Sequence, residues 1–156
     1  KYQVIFFQED RAIEVPPAGL KVASLENVKN TMRWIGYANP DQNGSDYQNK
    51  NIIPQLTSNP VPALARGLSL KPDVLFLLSD NITGSGAYGI DAQELLNFLD
   101  NENPIIRDSR RTRIMTIQFF DNDPLRTLEK IAFAHGGEDG FVFLGSDQFI
   151  KRQDRQ

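Results

Sequence analysis

The stretch Pro72-Asp73-Val74-Leu75-Phe76-Leu77-Leu78-Ser79-Asp80 constrains the fold more than any other. Its apolar run, Val74 to Leu78, does not alternate with polar residues, so both faces are expected under cover, as in a parallel sheet flanked by helices. Ligands of such open sheets lie beyond the carboxyl ends of the strands. Asp80, at that end, is therefore a candidate metal or substrate ligand. The competing reading is that it only opens a turn with Asn81, since both residue types favour turns.

The rest of the chain supplies alternating strands and helices. Tyr2 to Phe7 is rich in β-branched and aromatic residues and reads as a strand. Gln8-Glu9-Asp10-Arg11 is a polar turn, and Ala12 to Val15 a short second strand stopped by Pro16-Pro17. The two form a hairpin with its shorter arm at a sheet edge. Ser24 offers an N-cap, and Leu25, Val28, Met32 and Ile35 follow at helical spacing, which predicts a helix over 25–36 ending at Gly36. Trp34 lies off that stripe and reads as packing.

Residues 37–55 are dominated by turn formers and have no periodicity; their asparagines and aspartates do not follow the spacing of an EF-hand loop. A second helix opens after Thr57-Ser58-Asn59-Pro60, with Ala63, Leu64, Gly67, Leu68 and Leu70 on its buried face. After the strand at 73–79 comes a glycine-rich loop, 81–89, and a helix from about Asp91 to Leu99 or slightly beyond. Arg107 to Arg113 is a basic connector, read as a solvated face, and Ile114 to Phe120 is a second buried strand. Asp123-Pro124 starts a helix running to His135, with Leu125, Leu128, Ile131 and Ala132 inward and Gly136-Gly137 as its left-handed cap. Phe141 to Leu144 is the last strand.

This order implies an α/β fold: a doubly wound, mostly parallel sheet with helices on both faces and an antiparallel edge hairpin. At 156 residues the chain fits one domain over 1–150, followed by a polar tail at 151–156, and is large enough for a core without disulfide or metal staples. Hydrophobic residues at 40% and charged residues at 24% are ordinary for a globular protein. The net charge of −3 gives no general attraction to nucleic acid or anionic membrane, and no apolar run reaches the length of a membrane span. The absence of cysteine removes thiol chemistry and cysteine-ligated metal, while leaving the compartment open. Lys1-Tyr2-Gln3-Val4-Ile5-Phe6-Phe7 enters a strand with no lead-in and reads as a fragment or a processed product.

The hairpin opening, then Leu70 to Asp80, Ile114-Met115-Thr116-Ile117-Gln118-Phe119, Leu128-Glu129-Lys130-Ile131-Ala132 and His135-Gly136-Gly137, in this order and spacing, resemble a von Willebrand factor type A domain of the bacterial kind. The resemblance runs from Tyr2 to Leu144, apart from an insertion at 37–55. It implies a divalent-metal site at the top of the sheet, usually for magnesium, with manganese or calcium as alternatives. Hydroxyl and carboxylate oxygens suit such a hard cation and leave a position open for a partner's carboxylate.

Thr57 matches the family's metal-binding threonine and Asp80 its metal-binding aspartate, with Ser58 and Asn81 beside them as binding residues. The family's Asp-x-Ser-x-Ser loop occurs nowhere in this sequence, and neither do the strand and helix that carry it, so the resemblance implies a sheet whose middle strand is supplied by a preceding segment or another chain. Asn81 and Phe120 stand where the family commonly has glycine.

The function implied is a protein-binding, adhesion-type module rather than an enzyme, with self-assembly open and the bacterial surface or periplasm favoured over the cytoplasm. The single histidine, His135, falls at a helix end and reads as capping or exposed. Two alternatives stay open. One is a structural subunit of a larger assembly with a vestigial metal site. The other is a nucleotide-binding α/β enzyme using Thr83-Gly84-Ser85-Gly86 as a phosphate cradle, although that loop lacks the Walker lysine and the three-glycine fingerprint.

Overall fold

A computed structural model describes residues 1–37, 58–83, 87–120 and 123–145. The chain divides into two compact units, Lys1–Arg66 and Gly67–Gln156.

In the first unit, β1 (Ile5–Gln8) and β2 (Arg11–Glu14) form an antiparallel hairpin in which Ile5 faces Glu14 and Gln8 faces Arg11. The turn between them places Glu9 at φ 53°. Tyr2, expected inside the first strand, instead makes a single bridge to Lys21. Lys21 is buried, and its ammonium donates to the carbonyls of Val15 (2.9 Å) and Pro16 (3.2 Å). Burial lowers its pKa, and Glu14 works in the opposite direction. The Pro16–Pro17 peptide bond is cis.

Helix α1 (Leu25–Tyr37) begins as expected: the Asn27 amide N–H donates to Ser24 Oγ at 3.2 Å. The face it buries is not the expected one. Leu25, Val28 and Met32 are exposed, whereas Thr31 is buried and hydrogen-bonds Tyr2 Oη at 2.8 Å. The Trp34 ring packs on Phe6 with centroids 5.8 Å apart. The helix therefore meets the N-terminal segment along the Thr31–Trp34 line, and its aliphatic stripe faces solvent. Helix α2 (Val61–Ser69) is capped by Asn59, whose Oδ1 accepts from Val61 N–H at 2.9 Å, and the boundary between the units falls within it. Arg66 donates to Glu14 Oε1 at 2.5 Å and Gly19 N–H to Glu14 Oε2 at 2.7 Å; led by the Arg66 bond, these hold the Glu14 carboxyl at a pKa of about 2.

The second unit is built on a parallel sheet of order β3–β6–β7, formed by β3 (Val74–Ser79), β6 (Arg113–Phe120) and β7 (Phe141–Gly145). Leu75 lies beside Ile114 and Leu77 beside Thr116, which in turn lies beside Phe141, so these side chains share one face. That face is covered. Gly67 of α2 lies so close that an added Cβ would sit 2.9 Å from Leu75 Cδ1. Helix α4 (Thr127–Gly136) packs on β6 and β7, with Leu128, Ile131 and Ala132 fully buried. Its Leu128 carbonyl accepts from Thr116 Oγ1 at 2.8 Å. Helix α3 (Ala92–Glu102), capped by Asp91, contributes the fully buried Leu95 and Leu99.

The opposite face departs, within this unit and among the described residues, from the expectation of helices on both sides. Val74, Phe76 and Leu78 are 39%, 58% and 48% exposed, and Val142 is 44% exposed. No element of this unit among the described residues covers them. The sequence run is apolar on both sides of the strand, yet in this unit only one side is packed. The hairpin of the first unit is a separate two-stranded sheet.

Two smaller departures have local causes. The helix expected from Asp123 begins at Thr127, because residues 123–126 form a turn in which Arg126 adopts φ 51°. Asp123 closes that turn by accepting from Leu125 N–H (2.8 Å) and Thr127 N–H (2.7 Å), and Leu125 is left exposed. Within the arginine connector lies a hairpin, β4 (Ile105–Ile106) and β5 (Ser109–Arg110), whose two-residue loop puts Arg107 and Asp108 at φ 51° and 66°. Positive φ at both loop positions matches the twist that such hairpins need.

Candidate functional site

Strand β3 delivers Ser79, Asp80 and Asn81 to the carboxyl end of the sheet, with Ile82 buried behind them as an anchor. Asp80 Oδ1 accepts from Asn81 N–H at 2.7 Å and from Ser79 Oγ at 3.4 Å. Ser79 Oγ also reaches the Asn81 carbonyl at 2.9 Å, and Asn81 Oδ1 accepts from Thr83 N–H at 3.0 Å. Two successive side-chain-to-backbone turns therefore shape the loop, which is the turn role that Asp and Asn fill by default. Asp80 is exposed, and its second oxygen, Oδ2, makes no hydrogen bond among the described residues. That oxygen is what the loop can offer to a cation or a donor.

Among the described residues the donor set falls short of a metal centre. No group of three or more acidic or histidine side chains is placed to hold an ion among the described residues. Thr57 lies outside the described residues. Ser58 is engaged within the first unit, where Glu9 N–H donates to its Oγ at 3.3 Å. Asp80 and Asn81 are thus brought together, and Asp80 is the one metal-ligand candidate the described residues place. A lone carboxylate does not make a magnesium site, which takes several oxygens in near-octahedral array.

Phe120, at the same end of β6, has φ 60°. A bulky side chain in this left-handed region is strained, and glycine would adopt it freely. This is one of the two positions where the resemblance implies glycine.

A polar cluster at the opposite, amino end of the sheet was not foreseen. Asn103, Thr112 and His135 are all buried. Asn103 Nδ2 donates to the Thr112 carbonyl at 2.8 Å, while its Oδ1 accepts from Thr112 N–H at 3.1 Å, so the amide stands in for a neighbouring strand. His135 Nδ1 lies 3.4 Å from Asn103 Nδ2, and its Nε2, without a hydrogen bond, lies 3.5 Å from Asp100 Oδ1. Burial, reinforced by Arg110 and opposed by Asp100, pushes the imidazole pKa down to about 4. This histidine is a neutral core group, not an exposed cap.

The arginines nearby also depart from a purely solvated face. Arg110 donates to the Asn103 carbonyl (2.7 Å), to Asp100 (2.6 Å) and to the Ala134 carbonyl (3.3 Å), and Arg113 to the Gly136 carbonyl (2.9 Å). They satisfy the C-terminal carbonyls of α4 with positive charge. Asn103-Pro104 was the signal available, as a helix stop; nothing in the residue pattern marked the asparagine as buried.

No helix among the described residues is long and apolar enough to cross a membrane. Compared with known proteins, the chain matches no family model, no curated protein sequence and no solved structure.

Proposed function

We propose that this chain is a protein-binding module of the von Willebrand factor A class, which binds its partner rather than transforming it. The observation that carries the reading is Asp80, an exposed carboxylate with one oxygen uncommitted, just beyond the carboxyl end of a parallel strand. Ligand sites of parallel α/β sheets occupy this position. In this reading Asp80 supplies one ligand to magnesium or a similar divalent cation, and the cation takes an acidic side chain of the partner. The remaining ligands come from a loop that this sequence does not contain.

The test is calorimetric titration of magnesium and of manganese into the chain and into Asp80→Ala. Saturable binding by the first that is lost in the second, with unchanged circular dichroism, supports the module. Binding by neither chain refutes its metal dependence. A second reading, a structural subunit of a larger assembly, is favoured by the bare sheet face around Phe76, because parallel sheets normally have both faces covered.

A further inference from the structure

The segment from Asn103 to Thr112 is a loop that carries the β4–β5 hairpin, and the Asn103 side chain closes its base. Asn103 Nδ2 donates to the Thr112 carbonyl and Oδ1 accepts from the Thr112 amide, so turning the amide over would set donor against donor and acceptor against acceptor. The second Nδ2 hydrogen is left to His135 Nδ1, 3.4 Å away. An amide nitrogen only donates. Nδ1 is therefore the accepting nitrogen of the ring, and the proton of the neutral imidazole sits on Nε2, facing Asp100 Oδ1 at 3.5 Å.

The hairpin has no apolar anchor of its own: Ile105 and Ile106 are 64% and 57% exposed. Its attachments are polar. Arg110 donates to the Asn103 and Ala134 carbonyls and to Asp100, and Thr112 Oγ1 donates to the Pro72 carbonyl at 2.7 Å.

We propose that the Asn103–His135 contact is an acid-released latch: protonation of His135 opens the base of the loop and frees residues 103–112, while the β3–β6–β7 sheet stays formed. A protonated imidazole carries hydrogen on both nitrogens, so its Nδ1 meets the Asn103 amide donor to donor. Neither partner escapes by turning in place. A ring flip only presents the other N–H, and an Asn103 flip breaks both bonds to Thr112 and leaves buried polar groups unpaired.

The charged groups around the ring come from three elements. Arg110 of β5 opposes a second positive charge, and Arg113 of β6, bonded to the adjacent Gly136 carbonyl, adds to the opposition. Asp100 of α3 attracts the cation from the Nε2 side, but that carboxylate is already held by Arg110 at 2.6 Å. Protonation therefore draws the ring off Asn103 and toward Asp100, in competition with the arginine that ties the hairpin down.

Nitrogen NMR and amide hydrogen exchange on the native chain decide the matter. At pH 7 the ring shifts of the single histidine must report the Nε2–H tautomer; the Nδ1–H tautomer overturns the inference. The closed latch holds His135 at a pKa of about 4 against an ordinary 6.5, so closure is complete above pH 6.5 and weakens as pH falls toward 4. Between pH 7 and pH 5 the protection of the Thr112 amide, corrected for intrinsic rate, is expected to fall about 20-fold. Urea too dilute to affect the β6 amides must leave Thr112 exchange unchanged, because a local opening exposes little surface.

Thr112 protection that is indifferent to pH, or that follows the urea dependence of the β6 amides, overturns the latch. In His135→Gln the same protection is expected to be flat from pH 7 to pH 5, and a slope that persists overturns it as well. Should that variant fail to fold, the two measurements on the native chain stand by themselves. The latch does not depend on Asp80, so magnesium binding and Thr112 exchange fail separately.

Discussion

Acidification from pH 7 to pH 5 is expected to destabilise the second unit through His135. The imidazole is held at a pKa of about 4 in the folded chain, against an ordinary value of 6.5. A histidine whose folded pKa is depressed binds fewer protons folded than unfolded between those two values. Stability is therefore complete above pH 6.5 and falls as pH drops toward 4. The whole difference, about 2.5 pH units, corresponds to about 3 kcal/mol, of which about 2 kcal/mol is lost between pH 7 and pH 5.

Urea denaturation at half-unit intervals across that range reads the slope directly. His135→Gln removes the titrating group, so the stability of that variant, whatever its absolute level, is expected to be flat from pH 7 to pH 5. Because the sequence has a single histidine, its imidazole proton resonance also gives the folded pKa without assignment. A folded value at or above 6.5, or a slope that persists in His135→Gln, would refute the reasoning.

Four other outcomes are expected. Glu14→Gln removes stability that the native chain itself loses as pH falls from 4.5 toward 2, since Glu14 is held near 2 by Arg66; denaturation of both chains across that window should converge at its acid end. Gly136→Ala drives a methyl to 2.3 Å from the Ile114 carbonyl oxygen, between α4 and β6, and should cost about 3 kcal/mol in chemical denaturation. Asp123→Ala frees the Leu125 and Thr127 amides at the start of α4 and should cost about 1–2 kcal/mol. Phe120→Gly relieves a left-handed φ of 60°, worth about 1–2 kcal/mol, and gives back about half of that in backbone entropy, so its melting temperature should rise slightly.

What could be read from residue order was the backbone scaffold. The apolar run at Val74–Leu78 is a parallel strand, Ser24 and Asn59 cap helices near the places where turn formers stood, and Asp80 ends its strand on the expected side. What escaped depends on partners distant in sequence. The α1 stripe is apolar on any helical wheel, yet the hairpin contacts run through Thr31 and Trp34, a line set by where Tyr2 and Phe6 lie. Arg107-Asp108 lacks the glycine or asparagine that usually announces a tight hairpin, so β4 and β5 were invisible. His135 sits at a helix end, where exposure is the default; only Asn103, thirty-two residues earlier, and the arginines beside it make a buried site there. For the metal site, the residue type at 80 was legible and its turn geometry was not, because Ser79 and Asn81 can bond to Asp80 only once the strand stops.

The buried amine of Lys21 turns the first unit into its own reporter of opening. Two carbonyls occupy it and the Tyr2 ring lies 5.5 Å away, so an acylating reagent in solution has no line of attack while the bridge between Tyr2 and Lys21 is closed. Chemical labelling at this lysine then proceeds only through excursions that break the bridge. Its rate, compared with that of an exposed lysine such as Lys29, counts how often the N-terminal segment lifts away.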